Sequence, residues 1–450
     1  MADSPAPYGK SDTGIARSLG QYWHDQLDQS EKLFKARFWE RGEKIVRRYR
    51  DERDAVDNRR RKFNILWSNV QVLKPALYGR AAKPDVQRRH NDSDPVGRAA
   101  SLMLERTLSY EIENYTDFDA AMTGAVEDRL LPGRGISWVR YEPNIVQVEA
   151  EPEVEGEEAP AQEIAEQGEQ ITEDEEAPPN ERVQSARSPT DYVYWRDFLH
   201  NPARTWEEVW WVSRWVYMTK DEGKARFGEV FDAVPIAYDQ TEGETSKKPR
   251  LVHNDKKAKV AEIWNKRSGK VCWIAQGYPH HLDEKPDPLQ LEGFFPCPRP
   301  LNATTTTDNV LPVPDYAEYQ DQAEELDTLT QRIGMLTKAC KVVGVFNAEH
   351  KSLLRLFNEG VDNTMIPVDS WAAFAEKGGI KGEVAFLDLT TIIATLQQLY
   401  ESREQAKQII YEVMGIGDII RGATNPNETL GAQQLKANFG SMRLRTSQGD

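Results

Sequence analysis

Residues 320–340, QDQAEELDTLTQRIGMLTKAC, and 390–415, TTIIATLQQLYESREQAKQIIYEVMG, decide the fold of this chain. Around the first, Tyr319, Ala323, Leu326, Leu329, Ile333, Leu336 and Cys340 recur every three or four residues. Ile392, Ile393, Leu396, Leu399, Tyr400, Ala406, Ile409, Ile410 and Val413 do so in the second. Each spacing predicts a long helix with one apolar stripe and a charged opposite face. Between them Val342–Leu389 holds short β-like runs at 342–346, 365–368 and 383–387, a helical pattern near Lys351–Phe357, and glycine turns. After Gly415 come Ile416–Gly422, a polar loop from Ala423 to Glu428, and a third helical pattern from Thr429.

The run Tyr411-Glu412-Val413-Met414-Gly415-Ile416, then Ile420-Arg421-Gly422, then Glu428-Thr429 before Ala432-Gln433-Gln434, resembles the portal proteins of tailed bacteriophages, especially short-tailed ones. So does Tyr319-Gln320 followed by Leu329-Thr330-Gln331-Arg332-Ile333. The resemblance covers nearly the whole chain, and the order of the motifs carries it. It implies an α+β, mainly helical portal fold: a helical and β wing at 21–315 and a stem helix at 316–341. A small α/β clip at 342–389 would follow, then a second stem helix at 390–415, a tunnel-loop region at 416–428 and a wing helix from 429. The family usually continues into a helical crown, which residues 429–450 do not show. Stem packing would rest on Leu326, Leu329, Ile333, Leu336, Leu396, Leu399, Ile409 and Val413. Arg421, Thr424, Asn425, Asn427 and Glu428 would face DNA in the channel.

The resemblance further implies a ring, usually of twelve copies in that family, at one capsid vertex of the virion, made first in the host cytoplasm. Double-stranded DNA would pass through it during packaging and ejection. The major capsid protein, scaffolding protein, terminase large subunit and head-tail adaptor would be its partners. A different ring-forming virion protein, or a nucleic-acid enzyme, are the alternatives.

Composition bounds these readings. With 450 residues the chain can form several domains. Its net charge of -16 opposes tight binding to nucleic acid over the bulk surface, and suits a channel wall past which DNA slides. Three cysteines make no disulfide framework and suit a reducing cytoplasm. Met1–Lys10 does not read as a signal peptide, and no apolar run approaches a membrane span. The expectation is a soluble protein.

Residues 1–20 read as a flexible N-terminus. Trp23, Leu27, Leu33, Phe34, Phe38 and Ile45 then share a helical face. Further helices are expected at Phe63–Tyr78, where Pro75 should kink or end the helix, at Val96–Tyr115 and at Phe118–Leu131. Ala81–Asp94 reads as extended. Pro132-Gly133-Arg134-Gly135 breaks the last helix before a strand at Ile136–Tyr141. Glu149–Glu181 carries fourteen acidic residues and no Lys or Arg. It cannot bury enough apolar area to order itself, and reads as an insertion in a β-hairpin or small β-domain, between strands at Val146–Val148 and Tyr192–Phe198. Val209–Met218 reads as a strand, Thr219-Lys220-Asp221-Glu222 as a capping box, Thr241–His253 as a loop, and Ala258–Gln276 as a hairpin. Pro279–Pro314 is proline-rich and reads as an extended surface connector.

Chemical constellations are sparse. His253, His280 and His281 with Cys272 and Cys297 lack the short paired spacing of a zinc site, so buried thiols and surface histidines are expected. The glycines at 133 and 135 follow a helix and precede a strand, the reverse of a phosphate cradle. Arg41–Lys62 holds ten basic and five acidic residues and reads as a solvated or intersubunit helix face. Trp195, Trp206, Trp210, Trp211 and Trp215 read as a β core. Glu324, Glu325 and Asp327 read as acids complementing a helix dipole. No P-loop, nucleophile elbow or zinc helix is present. The chain is therefore expected to be no enzyme and to need no cofactor or metal.

Overall fold

The computed structural model describes residues 18–52, 62–79, 83–88, 94–115, 117–147, 181–237, 256–340, 344–346, 384–386 and 389–415. Most of Glu149–Glu181, the Thr241–His253 loop, most of the 342–389 segment and everything from Ile416 onward lie outside them.

The described helices begin with α1 (Leu19–Phe34), which runs through a π turn at Lys35–Trp39 into α2 (Glu40–Tyr49). Ser18 and Gln21 form a capping box at its start. Next come α3 (Ile65–Leu77), α4 (Pro95–Asn114) and α5 (Asp117–Leu130). Pro75 sits in the last turn of α3, which ends two residues later. The β region comprises β1 (Arg134–Gly135), β2 (Ser137–Val139), β3 (Glu142–Gln147), β4 (Glu181–Arg187), β5 (Thr190–Tyr192), β6 (Phe198–His200) and β7 (Trp211–Met218). It continues with α6 (Lys220–Phe227), β8 (Ala258–Asn265), β9 (Lys270–Ala275), β10 (His281–Pro286), β11 (Leu301–Asn302), β12 (Thr304–Thr306) and β13 (Asn309–Val313). The chain then forms α7 (Gln320–Ala339), β14 (Gly344–Phe346), β15 (Val384–Phe386) and α8 (Thr390–Met414). The fold is α+β.

The chain divides into two compact units: Met1–Gly42 with Tyr78–Val313, and Glu43–Leu77 with Pro314–Asp450. In the first, the largest sheet among the described residues has five antiparallel strands in the order β10-β9-β8-β7-β6. Both faces of its central strands are covered. Trp211, Trp215, Ala261, Ile263 and Ile274 meet Trp23, Leu27, Phe34 and Phe38 on one side. Val212, Val260, Trp264 and Val271 meet Trp138, Phe198 and Phe231 on the other. Double coverage makes β9 a near-continuous apolar run, while β7 is interrupted by buried Ser213 and by Arg214, which pairs with Asp191 and Glu262. Three of the five tryptophans, Trp195, Trp211 and Trp215, are buried in this core. Cys272 and Cys297 are buried free thiols, while His280 and His281 are exposed.

Two expectations need correction. Pro279–Pro314 is no plain connector: β10 pairs with β9, β11 with β1 and β12 with β13, and Cys297, Val310 and Leu311 are buried. Prolines are tolerated there because they fall at strand ends and on a sheet edge. The partner of β3 is β4, not a strand at 192–198. Tyr192 and Phe198 end and begin two separate strands, β5 and β6.

Burial concentrates charge at one place. Arg134 is fully buried, its guanidinium 4.8 Å from the ring centres of Phe34 and Phe38 and 5.4 Å from Phe198. It donates to His200 Nε2 at 3.2 Å. His200 Nδ1 then carries the hydrogen and donates to the Asn201 carbonyl at 2.8 Å. Burial and the neighbouring arginine push His200 down to about 3, so it stays neutral. Gly135 follows because a side chain there would run into the Ala125 carbonyl of α5.

Two outcomes are expected. The pairing Gln147↔Glu181 closes the β3–β4 ladder. Replacing residues 148–180 by Asn-Gly, a two-residue hairpin turn, should therefore leave the melting temperature nearly unchanged, and insoluble protein would contradict this. Asp128 accepts from the Tyr192 hydroxyl, and burial first, with Glu127, raises it to about 7 against the lowering effect of Tyr192, the Trp195 backbone and Arg134. The folded state therefore holds this proton more tightly than the unfolded chain. Its stabilising effect is complete below about pH 4 and lost as pH rises through about 7. Thermal melts of Asp128→Asn should show a flatter decline between those values than the wild type.

Candidate functional site

In the second unit α7 and α8 pack against each other, and β14 pairs with β15 antiparallel at the base of the segment joining them. Tyr319, 1% exposed, anchors the start of α7, its ring edge-on to Tyr316 at 5.1 Å. Ala323, Leu326, Leu329 and Ile333 are buried along one stripe of α7, and Leu336 is half-buried. On α8 the buried residues are Ala406, Ile410 and Tyr411, with Leu396 and Leu399 half-buried. Gly415 ends α8 in the left-handed conformation at φ 67°, its N–H donating to the Glu412 carbonyl at 3.1 Å.

Not every apolar side chain is covered. Ile393 is 49%, Tyr400 45%, Ile409 46% and Val413 39% exposed, as is Met335 on α7 at 55%. At about 100° per residue, Ile393 and Tyr400 lie on one flank of the buried stripe and Ile409 and Val413 on the opposite flank. The apolar arc of α8 is therefore wider than its contact with α7. Arg403 and Lys407 share the inner face, with side chains only 24% and 18% exposed. Lys407 holds Glu404 at 2.8 Å and stands 5.2 Å from the Phe63 ring centre.

A clamp that the sequence did not reveal joins the earlier part of this unit to α7. Asp327 accepts from Arg48 Nη2 at 2.9–3.0 Å and from the Phe63 backbone N–H at 2.8 Å. Arg48 also donates to the Phe63 carbonyl at 3.2 Å. Asp327 thus sits mid-helix as a tertiary anchor and does not complement the helix dipole, a correction to the expectation; Asp321 occupies the first turn. Nothing local in the sequence marks a partnership across 279 positions. In the basic run, Arg47 and Arg50 instead approach Glu52.

Arg421, Thr424, Asn425, Asn427 and Glu428 lie outside the described residues. Among the described residues no group of three or more His, Cys, Asp or Glu could hold a metal, and no helix is long and apolar enough to cross a membrane. No protein-family model and no curated protein matches the chain.

Asp327→Ala should cost about 3 kcal/mol, the lower edge for a mostly buried pair that loses one member, because it takes the carboxylate from Arg48, which keeps only the Phe63 carbonyl of this clamp, and the acceptor from the Phe63 N–H. Chemical denaturation measures this, and Glu324→Ala, at an exposed neighbour, should change stability by under about 0.5 kcal/mol.

Proposed function

We propose that this chain is the portal subunit of a tailed bacteriophage: a head-to-tail connector forming a ring at one capsid vertex. The observation that carries this is the apolar arc of α8, which one neighbour, α7, cannot cover. A closed ring gives each helix a neighbour on both sides through one heterologous interface repeated around the axis. Ile393 and Tyr400 on one flank, with Ile409 and Val413 on the other, suit that demand. The order of the motifs from Tyr319 to Gln434 supports the same reading. So does the helix, paired-strand and helix arrangement of α7, β14–β15 and α8.

In this reading α7 and α8 form the stem around the channel, and the segment between them forms the clip on which the terminase docks. The genome is double-stranded DNA, moved through the ring by that separate motor and released the same way at infection. A net charge of -16 keeps the wall from binding phosphates tightly. The region after Gly415, including Arg421, Asn425 and Asn427, would line the channel.

Electron microscopy of the purified chain should show rings with a central hole, and particles that stay single would overturn the reading. Ile409→Asp should leave the monomer folded, because the side chain is already half in water. It should weaken assembly about tenfold or more, since a carboxylate would have to be desolvated against the neighbouring copy.

A further inference from the structure

Helix α4 has no buried residue along its 20 positions. Its start is built: Asp94 accepts from the Val96 and Gly97 N–H groups, and Pro95 holds the first position. Its end is tied down, with the Arg187 guanidinium 3.7 Å from the Tyr115 ring centre. Between these ends Leu102 is 48%, Met103 69% and Tyr110 60% exposed. These residues lie at helical spacing on one face, with Arg106 among them. Arg106 is exposed and has no partner among the described residues. Helices draw most of their stability from a covered apolar face, and this face is bare.

The same unit carries a cleft of about 500 Å³ lined by Asp117, Asp191, Tyr192, Tyr194, Asp197 and Tyr217. Tyr192 and Tyr194, 40% and 44% exposed, form an aromatic rim. Asp191 is paired with Arg140 and Arg214. Asp197 receives the Tyr217 hydroxyl at 3.3 Å, which leaves further acceptor positions on its carboxylate. Burial raises it to about 6 despite Lys259 and Arg196 nearby, with Glu31 adding to the rise. A guanidinium would satisfy such a group, and Met, Tyr and Arg are the residues that anchor protein interfaces. The α4 face and the cleft are two different patches on one chain. That is the requirement for head-to-tail association.

We propose that the Leu102, Met103, Arg106 and Tyr110 face of α4 docks into the Tyr192–Tyr194 cleft of a second copy of this chain, Arg106 meeting Asp197; Asp117 and Asp191 are already held by Arg187, Arg140 and Arg214. The inference rests on the ring reading above and adds to it a second contact, made by the other unit of the chain.

Cysteine pairing tests it. One preparation carries Met103→Cys and another Tyr194→Cys, both with Cys340→Ser. Mixed, assembled and oxidised, they should give a band of twice the chain mass, and the double variant should give a ladder. Arg106→Glu should weaken assembly about tenfold or more, with Arg106→Lys restoring part of it. Rings that form normally with Arg106→Glu would overturn this docking while leaving the ring reading intact. So would rings in which Met103→Cys never crosslinks to Tyr194→Cys, or in which the bond closes within one chain. A wild-type chain that remains single would overturn both.

Discussion

The seam between α7 and α8 buries one stripe of each helix and no more, because two helices meet along a single line of side chains. Everything apolar outside that line must find another neighbour or stay in water. Ile393, Tyr400, Ile409 and Val413 stand outside it. Burying such a side chain from full exposure is worth about 1.5–3 kcal/mol. Half of that for each of four residues already amounts to several kcal/mol, comparable with the net stability of about 5–15 kcal/mol of a whole protein. Uncovered surface of this size therefore weighs on the state the chain adopts. A closed ring of copies is the arrangement that covers both flanks with one repeated contact.

The first unit solves the opposite problem. Its sheet is covered on both faces, so polar groups trapped there need partners from within. Burial lowers Arg134 to about 9 against the opposing charge of Asp128, so it is still cationic at neutral pH, with three phenyl rings and a neutral imidazole around it. His200 stays neutral because burial, and then the guanidinium beside it, disfavour a second proton. An arginine, a histidine and nearby Asp128 could pass for catalytic machinery. Their enclosure argues otherwise: Arg134 and His200 are essentially inaccessible, and Asp128 is engaged by Tyr192. The cluster fixes how α1, α5 and β6 meet.

What was legible in the sequence was whatever local chemistry dictates. Thr219 and Glu222 make the capping box their spacing promised, and the hairpin at β8–β9 follows from its two apolar runs. The α7 stripe is the one that Leu326, Leu329 and Ile333 foretold. Residues joined only through space were not legible. Asp327 looks like any other helix acid until Arg48 and Phe63 are beside it. The strand Glu181–Arg187 has only Val183 and Ala186 as apolar residues, three positions apart, so no apolar alternation betrays it, and β10 hides behind a register shift between His281 and Asp283. On α8 the spacing of Ile409 and Val413 suggested one shared stripe with Ile393. The turn of the helix puts them on opposite sides. The helix α4 was legible as a helix, but its spacing does not tell that Leu102, Leu104 and Leu108 stay largely exposed.

In the ring proposed above, the charge of the chain sets how strong the contacts between copies would have to be. At -16 each, neighbouring copies repel one another, and the repulsion reaches only about 10 Å at 0.1 M salt. Apolar contacts along α8 are indifferent to that screening, whereas an arginine–carboxylate contact at α4 weakens with it. A ring using both has one term that salt assists, by quieting the mutual repulsion, and one that salt opposes. Closure tips the balance. An open arc has one interface fewer than it has copies, and the closing contact forms without a further loss of translational freedom. Individually modest interfaces are then enough. A change that weakens one contact is repeated in every copy around the ring.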